Sequence, residues 1–478
     1  MLRVCTWNIN GIRTLSKPIK RQLDSLEADI ICLQETKANR NLPAEFCQAD
    51  GYNAYFSHCT AKSGYSGVCI FCKNPIQPTS AVESFEDLLT LGGGDSNSAE
   101  GFDSEGRVLA LQFGLPPAPS SRLFLTVVCL YCPRVDPERL DRAAYRFQFF
   151  ELLQKSVVSL IASGSYVVLA GDFNVVHKPI DHCCPEEFKL LDPEPRSWMN
   201  SLLVDPLKFR GCVGSDVDAF DDSHLVDLFR LAQPNRQNAF SCWNTRTGAR
   251  QTNYGTRIDY ILCDTGLARR FPPSERFSSV CDLLVDVPGS DHCPVWARLP
   301  VTTCQLSTGT PPPTLCTCFW SQCQKRQSRL WQFLQPAGVV GEEAVGLKRI
   351  TSDYQKAHVV KRQKQALLAL VRTKSLTPMH VGQDGCCKAG VGERSEDRNE
   401  QKATCTQSAA ALQWNQLFRR PQKTPKCSGH QEPCVRRTVK RASANRGRDF
   451  WVCPRPEGAP GNPEARCSTF IWADKMDR

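Results

Sequence analysis

The run Gly171-Asp172-Phe173-Asn174 constrains the fold of this chain more than any other short stretch. It directly follows an apolar run at 166–170, whose length and β-branched content predict a buried strand. Gly171 allows a sharp exit from that strand, so that Asp172 and Asn174 face the same side of the turn. An open α/β sheet binds its ligands at the C-terminal ends of its strands. The run therefore predicts a ligand site, although a structural turn explains these four residues equally well.

Polar side chains stand at the ends of other predicted strands as well. They are Asn8 at the end of 2–8, Glu35 after 29–33, Tyr131 at the end of 123–131, Asp259 within 257–263, and Asp291 and His292 before 295–299. Any one of them alone is adequately explained as a surface acid or a capped turn. Because so many separate strand ends carry such groups, we interpret them as one site on a shared rim.

The remaining pattern predicts an alternation of strands and helices before residue 300. We predict strands at 52–57, 67–72, 107–113 and 240–243, helices at 20–27, 138–162, 196–203 and 225–231, and a loop over 83–102. This alternation is typical of an α/β body.

The strand-end residues suit the hydrolysis of phosphodiesters. Oxygen ligands such as Glu35 and Asp291 hold a hard ion like Mg²⁺, which offsets charge on the phosphate and its leaving oxygen. Asp172 is placed to orient or deprotonate the attacking water. The donors that stabilise the developing oxyanion are Asn174, Tyr131 and His292, the last oriented by Asp259.

Charge is distributed unevenly along the chain, whose formal net charge is +10. Residues 1–300 contain 30 Lys and Arg and 35 Asp and Glu, a net charge of −5, whereas residues 301–478 contain 29 and 14, a net charge of +15. An acidic body suits a site that collects metal ions, and a basic tail suits a polyanion. The alternative is a tail whose charges are merely solvated.

No apolar run is long enough to span a membrane, and a strand-like stretch begins at residue 2, which leaves no room for a signal peptide. Many of the 26 cysteines occupy strand-like runs, where they are typical small core residues. We therefore expect reduced thiols and one metal site rather than a disulfide framework.

Several motifs, in this order along the chain, resemble the exonuclease III family of apurinic/apyrimidinic endonucleases. They are Trp-Asn-Ile-Asn-Gly-Ile-Arg at 7–13, Leu-Gln-Glu-Thr-Lys at 33–37, Gly-Tyr-Ser-Gly-Val at 64–68, Asp-Ser-Glu-Gly-Arg at 103–107, Gly-Asp-Phe-Asn at 171–174, Arg-Ile-Asp-Tyr at 257–260 and Ser-Asp-His-Cys-Pro at 290–294. Together they cover residues 1–300 and are highly specific.

The resemblance implies a four-layer α/β sandwich of the exonuclease III and deoxyribonuclease-I type, with two β-sheets face to face and helices outside. It implies cleavage on the 5′ side of abasic sites that depends on Mg²⁺ or Mn²⁺ and leaves a 3′-hydroxyl, together with 3′–5′ exonuclease activity at recessed or blocked 3′ ends. Carried over by motif, the metal residues are Asn8, Glu35, Asp172, Asn174 and Asp291, and the catalytic residues are Tyr131, Asp172, Asn174, Asp259 and His292.

The chain departs from the family in two places. In the strongest abasic endonucleases, aromatic residues form a wall around the baseless sugar, whereas this chain aligns Cys242, Thr256 and Ile258 there, with Phe240 and Trp243 close by. This difference favours resection of 3′ ends over incision. Asn10 also stands where many relatives have Asp, which removes one charge near the metal.

Residues 327–334 fit the pattern Gln-x-x-aliphatic-x-x-aromatic-aromatic except at the last position. The pattern places Gln327, Leu330, Phe333 and Leu334 at its key positions. One helical turn presents Leu330 and Phe333 to an apolar pocket, with Gln327 beside it. The segment resembles the box that binds the sliding clamp PCNA, and an ordinary amphipathic turn is the alternative.

Four residues near the C-terminus have the types and spacing of a zinc site. Cys427 and His430 are followed by Cys453 after 22 residues and by Cys467 after 13 more, with Cys434 as a further candidate ligand. The three cysteines and one histidine supply four ligands of the types that suit a closed tetrahedral Zn²⁺ site.

The residues between these ligands resemble a GRF-type zinc finger. Arg446, Arg448, Phe450 and Trp451 are predicted to share one surface, with arginines for phosphates and rings for the bases of single-stranded DNA. Unliganded thiols in an unstructured tail are the alternative.

We predict three regions: a catalytic domain at 1–300, a mostly disordered linker at 301–420 and the finger at 421–478. Together they predict a monomeric nuclear DNA-repair nuclease, with a cytoplasmic or mitochondrial pool left open. Two rival functions are a phosphatase or sphingomyelinase of the same fold, and a clamp-tethered sensor of single-stranded DNA with an inactive body.

Overall fold

A computed structural model of the chain describes residues 1–324 and 424–475, except for short gaps at 16, 97–98, 100–101, 103, 118–121, 135–138, 213–222, 272–276, 305–309 and 441–442. The strands are β1 Leu2–Asn8, β2 Ile30–Gln34, β3 Tyr52–Ser57, β4 Val68–Lys73, β5 Ser80–Val82, β6 Val108–Gly114, β7 Phe124–Tyr131, β8 Ser165–Asp172, β9 Leu225–Asp227, β10 Cys242–Trp243, β11 Gly255–Thr256, β12 Asp259–Asp264, β13 Cys281–Leu283, β14 Val295–Leu299, β15 Val435–Thr438, β16 Asp449–Val452 and β17 Phe470–Trp472. The helices are α1 Ile19–Asp24, α2 Ala44–Cys47, α3 Phe85–Leu91, α4 Leu140–Ala162, α5 Pro185–Lys189, α6 Glu194–Leu202, α7 Pro206–Cys212, α8 Leu228–Ala232 and α9 Thr265–Ala268.

Two six-stranded mixed sheets form the body, with strand orders β13-β14-β1-β2-β4-β3 and β5-β6-β7-β8-β12-β9. Each sheet contains one parallel pair near its centre, β1 with β2 and β7 with β8, and its other pairs are antiparallel. A parallel pair needs a crossover connection, and α1 and α4 lie in these two connections. The two parallel pairs point their carboxyl ends to the rim that carries the site.

Successive side chains of a strand point to opposite faces of the sheet, so the apolar side chains form three core clusters, one between the sheets and one on the outer face of each sheet. Val4 of β1 and Val168 of β8 belong to the cluster between the sheets. Trp7 of β1 packs on the other face with residues of α1, and Leu169 of β8 packs with residues of α4. Helices therefore cover the outer face of each sheet, which confirms the predicted four-layer α/β sandwich.

The C-terminal segment forms a three-stranded antiparallel sheet in the order β15-β16-β17. Its small core contains Cys427, Cys434, Trp451, Cys453 and Ala473. The predicted clamp box at 327–334 and most of the predicted linker lie outside the described residues. Every helix in the described part of the chain is too short or too polar to cross a membrane.

Two predicted elements differ from the structure because a capping side chain was overlooked. Residues 83–102 contain α3 rather than loop alone, and the side chain of Ser84 accepts a hydrogen bond from Asp87 N at its start. The helix predicted at 225–231 is a short strand, β9, followed by α8. Asp227 ends β9 and caps α8 by accepting from the backbone N–H groups of Phe229 and Arg230.

Candidate active site and metal centres

The polar ends of strands from both sheets meet at one rim of the sandwich. Tyr131 ends β7 and Asp172 ends β8, and these two residues are direct neighbours across the parallel pair. Asp259 begins the antiparallel β12 and is the direct cross-strand partner of Asp172. Asn8 ends β1 in the other sheet. The predicted strand-end residues are therefore brought together by strand register and sheet packing.

Asn8 connects the two sheets at this rim. Its Nδ2 atom lies 2.9 Å from Oε1 of Glu35 and 2.9 Å from Oδ2 of Asp172. Asn8 is fully buried, so these contacts hold both carboxylates in place. Tyr131 also lies beside Glu35, whose charge adds to burial in raising the pKa of the phenol. Asn8 thus fixes the relative position of two acids that come from different sheets.

Asp259 and His292 form a buried pair beside Asp172. Nδ1 of His292 lies 2.8 Å from Oδ2 of Asp259, and Nε2 lies 3.9 Å from Oδ2 of Asp172. Ser241 Oγ donates to the same Oδ2 of Asp259 at 2.6 Å and accepts from the backbone N–H of Ile258 and Asp259. Asp259 therefore orients the imidazole so that its other nitrogen faces Asp172.

Burial and neighbouring charges shift the pKa values of Asp172, His292 and Glu35 by different amounts and in different directions. Burial, and then the charge of Asp259, raise the pKa of Asp172 to about 7, although His292 and Asn8 act against them. Burial alone lowers the pKa of His292, but the carboxylate of Asp259 raises it well above its usual value. Burial likewise raises the pKa of Glu35, but hydrogen bonds from Asn8 and Lys37 outweigh burial and lower it.

Asp291 contacts Asn10, which lies in the turn after β1. Asn10 Nδ2 donates to Asp291 Oδ1 at 3.1 Å, which an aspartate in its place cannot do. Asn10 Oδ1 accepts from Lys37 Nζ, which also lies 2.9 Å from Oε2 of Glu35. The ammonium of Lys37 shows that a cation is accommodated beside Glu35 and Asn10.

Asn174 and Tyr131 present donors near Asp172. The backbone N–H of Asn174 donates to Asp172 Oδ1 at 2.9 Å, and its side-chain Nδ2 donates to Cys132 O at 3.0 Å. The backbone of Asn174 is left-handed, with φ of 51°, which asparagine tolerates in tight turns. Arg107 donates to the carbonyl of Tyr131 at 2.9 Å and stacks over its ring at 4.6 Å. These contacts fix the two side chains that we predicted at the phosphate.

The residues aligned with the aromatic wall of the family are small here. Cys242 and Thr256 are direct partners across the β10–β11 pair, and both are half-buried, as is Ile258. Phe240 and Trp243 are 2% and 4% exposed and belong to the core between the sheets, so they do not replace the missing wall.

Sequence reasoning missed three supporting residues. Ser241 is fully buried and fixes Asp259, yet a serine inside a predicted strand carries no distinguishing signal. Arg107 and Lys37 lie inside motifs that resemble the family, but their partners became visible only when distant strands were placed side by side.

The four predicted zinc ligands converge in the finger. The ligand atoms of Cys427, His430, Cys453 and Cys467 all lie within 4.8 Å of one another. His430 Nδ1 is 3.8 Å from the sulfur of Cys427 and 3.4 Å from that of Cys453. Cys434 is buried next to this group but is not part of it. Although burial raises the pKa of Cys467, hydrogen bonds from Thr469 and backbone groups lower it to about 6.

The finger carries an aromatic face on β16 and β17. Phe450 and Phe470 stack with centroids 5.0 Å apart, and Trp472 meets Phe470 edge-on at 5.0 Å. Arg448 lies 3.9 Å above the ring of Trp472. The prediction that Trp451 shares this surface was wrong, because successive residues of a strand face opposite sides and Trp451 is 8% exposed in the finger core.

The finger also contacts the body at the segment between β10 and β11. Glu457 N donates to Thr247 O at 2.9 Å, and Thr252 Oγ1 donates to Glu457 O. Arg437 Nη1 donates to Arg246 O at 3.4 Å. The contacted segment connects the two short strands that carry the pocket-wall positions.

Comparisons with known proteins agree with this architecture. Residues 5–292 match the Endonuclease/Exonuclease/phosphatase family, and residues 425–476 match the GRF zinc finger. The chain is 36% identical over 520 residues to DNA-(apurinic or apyrimidinic site) endonuclease 2 of Xenopus laevis and 33% identical over 545 residues to the Homo sapiens protein of that name. Each alignment covers 99% of both chains.

A solved structure and a bacterial relative extend the comparison. The crystal structure of the Xenopus laevis APE2 catalytic domain matches with a TM-score of 0.57 and 36% identity, covering 68% of this chain and 99% of that one. An exodeoxyribonuclease of Bacillus subtilis is 30% identical over 303 residues, which is 62% of this chain and 98% of that protein. These findings confirm the resemblance to the exonuclease III family and a GRF finger that the motifs predicted.

Proposed function

Because the chain belongs to the Endonuclease/Exonuclease/phosphatase family, we propose that it is a DNA-repair nuclease that hydrolyses phosphodiesters at 3′ ends and abasic sites. It incises on the 5′ side of an abasic site to leave a 3′-hydroxyl, and it removes nucleotides and blocking groups in the 3′–5′ direction. The observation that carries this proposal is the convergence of Asn8, Asp172, Asp259 and His292 from two sheets on one buried cluster.

Asp172 is the general base of this reaction. With a pKa raised to about 7 it has the proton affinity that favours proton transfer at neutral pH. It accepts a proton from the attacking water, whose oxygen forms the new bond to phosphorus while the bond to the 3′ oxygen breaks. The leaving oxygen takes up a proton and becomes the 3′-hydroxyl.

Three residues stabilise the charge that develops on the phosphate. His292 is cationic, because Asp259 raises its pKa well above the usual range, and its Nε2 faces Asp172. Asn174 and Tyr131 supply neutral donors at the same rim. Donors fixed in a buried site cost no reorganisation when charge appears, so each contributes more than the same group in water.

The carboxylates of Glu35, Asp172 and Asp291 suit a hard divalent ion, Mg²⁺ or Mn²⁺. Glu35, Asp291, Asp172 and the amides of Asn8 and Asn174 offer oxygen donors, and Lys37 already places a cation beside Glu35. The lowered pKa of Glu35 keeps this carboxylate ionised. When bound, such an ion offsets negative charge on the phosphate and the leaving oxygen.

The small pocket wall makes 3′ resection the stronger activity. Cys242, Thr256 and Ile258 give a baseless sugar little aromatic contact, and the nearby rings of Phe240 and Trp243 are buried in the core. A recessed 3′ end needs no such wall, because its terminal nucleotide keeps its base.

The finger holds Zn²⁺ through Cys427, His430, Cys453 and Cys467 and binds single-stranded DNA. Its aromatic face, Phe450, Phe470 and Trp472, stacks on bases, and the exposed Arg446 and the neighbouring Arg448 contact phosphates. The contacts between the finger and the β10–β11 segment support binding of the same strand by finger and active site.

The protein is recruited by the sliding clamp and acts in the nucleus. The box at 327–334, with Gln327, Leu330, Phe333 and Leu334, lies outside the described residues and supports clamp binding by its sequence pattern alone. Relatives named as endonucleases of apurinic or apyrimidinic sites support a nuclear location, because that is where most such DNA is repaired.

One assay tests the proposed function. The purified chain with Mg²⁺ is given an abasic duplex and a duplex with a recessed 3′ end side by side, with an inositol phosphate and a sphingomyelin substrate as controls. We expect cleavage of both DNAs and a clear excess of resection. Release of phosphate from inositol phosphates, or cleavage of sphingomyelin, identifies a phosphatase or sphingomyelinase instead. Binding of DNA without any cleavage identifies a sensor.

A further inference from the structure

Four side chains form a row across the short strands beside the candidate active site. Cys242 pairs directly with Thr256 across β10 and β11. Isolated antiparallel bridges extend this pair on both sides, from Cys242 to His292 and from Thr256 to His182. Side chains of directly opposed residues lie on the same face of a sheet. The order His292, Cys242, Thr256, His182, which we call the cross-strand row, therefore leads from the imidazole at the candidate active site to a second imidazole.

Backbone hydrogen bonds fix the register at the outer end of this row. Cys183 N donates to Gly255 O at 3.0 Å, and Arg257 N donates to Asp181 O at 2.9 Å. These two bonds flank the pair that His182 forms with its partner on β11, so the pair is of the kind that exchanges no hydrogen bond of its own. In such pairs the Cα atoms are about 4.5 Å apart and the side chains lie close together.

The row lies on the face of these strands that points away from the core. Cys183 packs against the core between the sheets, so the preceding His182 faces the other side. On β11, a Cβ placed on Gly255 would lie 2.5 Å from Cδ1 of Trp243, whose ring belongs to that core. Thr256, the next residue, therefore faces outward as well. His182 is half-buried, so part of its ring is open to a ligand that lies along the row.

The ring of His182 is held in place and uncharged. Its Nδ1 accepts a hydrogen bond from Cys184 N at 3.0 Å, which requires that this nitrogen carry no proton. Burial lowers the pKa of His182, although the charge of Glu187 acts against burial. A neutral ring in a fixed position suits stacking on a nucleobase better than pairing with a phosphate.

We propose that His182 is a specificity-determining residue that stacks on the base of the terminal nucleotide at a 3′ end. The inference rests on the proposed nuclease function, in which the scissile phosphate lies at His292 and the sugar attached to it lies against Cys242 and Thr256. Cβ atoms of directly opposed residues are about 5 Å apart, so the base bonded to that sugar comes within reach of His182. A ring for the base thus takes the place of an aromatic wall around a baseless sugar.

Two recessed duplexes that differ only in the last residue of the 3′ end test the proposal. One ends in an ordinary deoxyadenosine nucleotide, and the other ends in a tetrahydrofuran residue, which keeps the sugar ring and has no base. We expect His182→Ala to lower kcat/KM about tenfold for the end that carries a base, because one base–ring contact is lost. Removal of the baseless residue should stay nearly unchanged. His182→Phe retains an aromatic ring and should stay close to the wild type on both duplexes.

A second arm detects the contact without any cleavage. 5-Iodouracil replaces the base at the recessed 3′ end, and the complex is irradiated in an Asp172→Asn background, where the strand is not degraded. Mass spectrometry then maps the crosslinked residue. We expect the crosslink on His182, its loss in His182→Ala, and its retention at the same position in His182→Phe.

His224→Ala is the matched control, and circular dichroism checks that each variant is folded. His224 is also half-buried, but its carbonyl accepts from Thr265 N just beyond Asp264, at the end of β12 opposite to Asp259. This variant should match the wild type in both arms.

Three results overturn the proposal. The first is an equal effect of His182→Ala on the two duplexes, whether a loss on both or on neither. The second is a loss in His182→Phe as large as in His182→Ala, which excludes stacking. The third is a crosslink that maps elsewhere. If the wild type cleaves neither duplex, the proposed function fails, and the crosslink still decides whether His182 contacts the terminal base.

Discussion

Nδ1 of His292 lies 2.8 Å from Oδ2 of Asp259, and this contact decides which nitrogen of the imidazole faces the reaction. Because Nδ1 is held by Asp259, Nε2 is directed toward Asp172, 3.9 Å away. In the proposed reaction, this contact places the cationic ring of His292 beside the carboxylate that accepts a proton. The proposal therefore gives proton transfer and charge stabilisation to different side chains at one rim.

The raised pKa of Asp172 predicts the pH dependence of the reaction. Asp172 must be ionised to accept a proton, and burial together with Asp259 raises its pKa to about 7. We therefore expect kcat/KM for 3′ resection to fall by about tenfold per pH unit below that value and to level off above it. Rates measured between pH 5.5 and 8.5 at saturating Mg²⁺ check this, and a flat profile across the range rules out Asp172 as the titrating base.

The pocket wall predicts the balance between the two nuclease activities. The proposed pocket wall contains Cys242 and Thr256, which are cross-strand partners, and offers the sugar little aromatic contact, so resection should exceed abasic incision on matched duplexes. Thr256→Phe adds an aromatic surface at a half-buried position and should shift the ratio toward incision. Thr245→Phe, at an exposed position on the connecting segment, is the control. An excess of incision in the wild type refutes this account of the wall.

The clamp box predicts separable recruitment. Leu330→Ala combined with Phe333→Ala should abolish pull-down by the sliding clamp and any stimulation by it, because both pocket-filling side chains are removed. Basal nuclease activity should persist, since the box lies outside residues 5–292, which match the nuclease family. Unchanged clamp binding by the double variant means that the clamp is bound elsewhere.

The finger predicts a charge-dependent hold on single strands. Arg448→Ala should weaken single-strand binding and reduce the slope of log K against log salt by about 0.7, as expected when one phosphate contact is lost. Extended resection should slow, while a single incision stays nearly unchanged. Single-strand binding is measured by fluorescence titration at two salt concentrations. The titrations use an Asp172→Asn background, where the strand is not degraded, and Arg466→Ala serves as a charge-matched control. Tighter binding to duplex than to single strand assigns the finger another partner.

Much of the fold could be predicted because its strands have strong local signals. The strands at Leu2–Asn8, Tyr52–Ser57 and Val295–Leu299 match their predicted bounds, since each is an apolar, β-branched or aromatic run closed by a polar residue or a proline. The sequence did not predict which strands pair with each other, because pairing between distant segments depends on packing and leaves no local sequence pattern. The motif resemblance implied two packed sheets, but the order of their strands came only from the structure.

The errors have local physical causes. Asp227 ends a strand and caps a helix at the same time, so periodicity merged β9 and α8 into one helix. Trp451 was placed with Phe450 on composition, although adjacent strand residues face opposite sides. Ser241 escaped notice because its role arises only from its contact with Asp259 across the fold.

The most direct measurement is the single-turnover rate of Asp172→Asn on a duplex with a recessed 3′ end at saturating Mg²⁺. The amide has nearly the same size and shape as the carboxylate, but it cannot accept the proton of the attacking water. We predict a loss of about 100-fold or more, with DNA binding retained, and no loss for Asp50→Asn at an exposed position. A near-normal rate in Asp172→Asn contradicts the assignment of this rim as the active site.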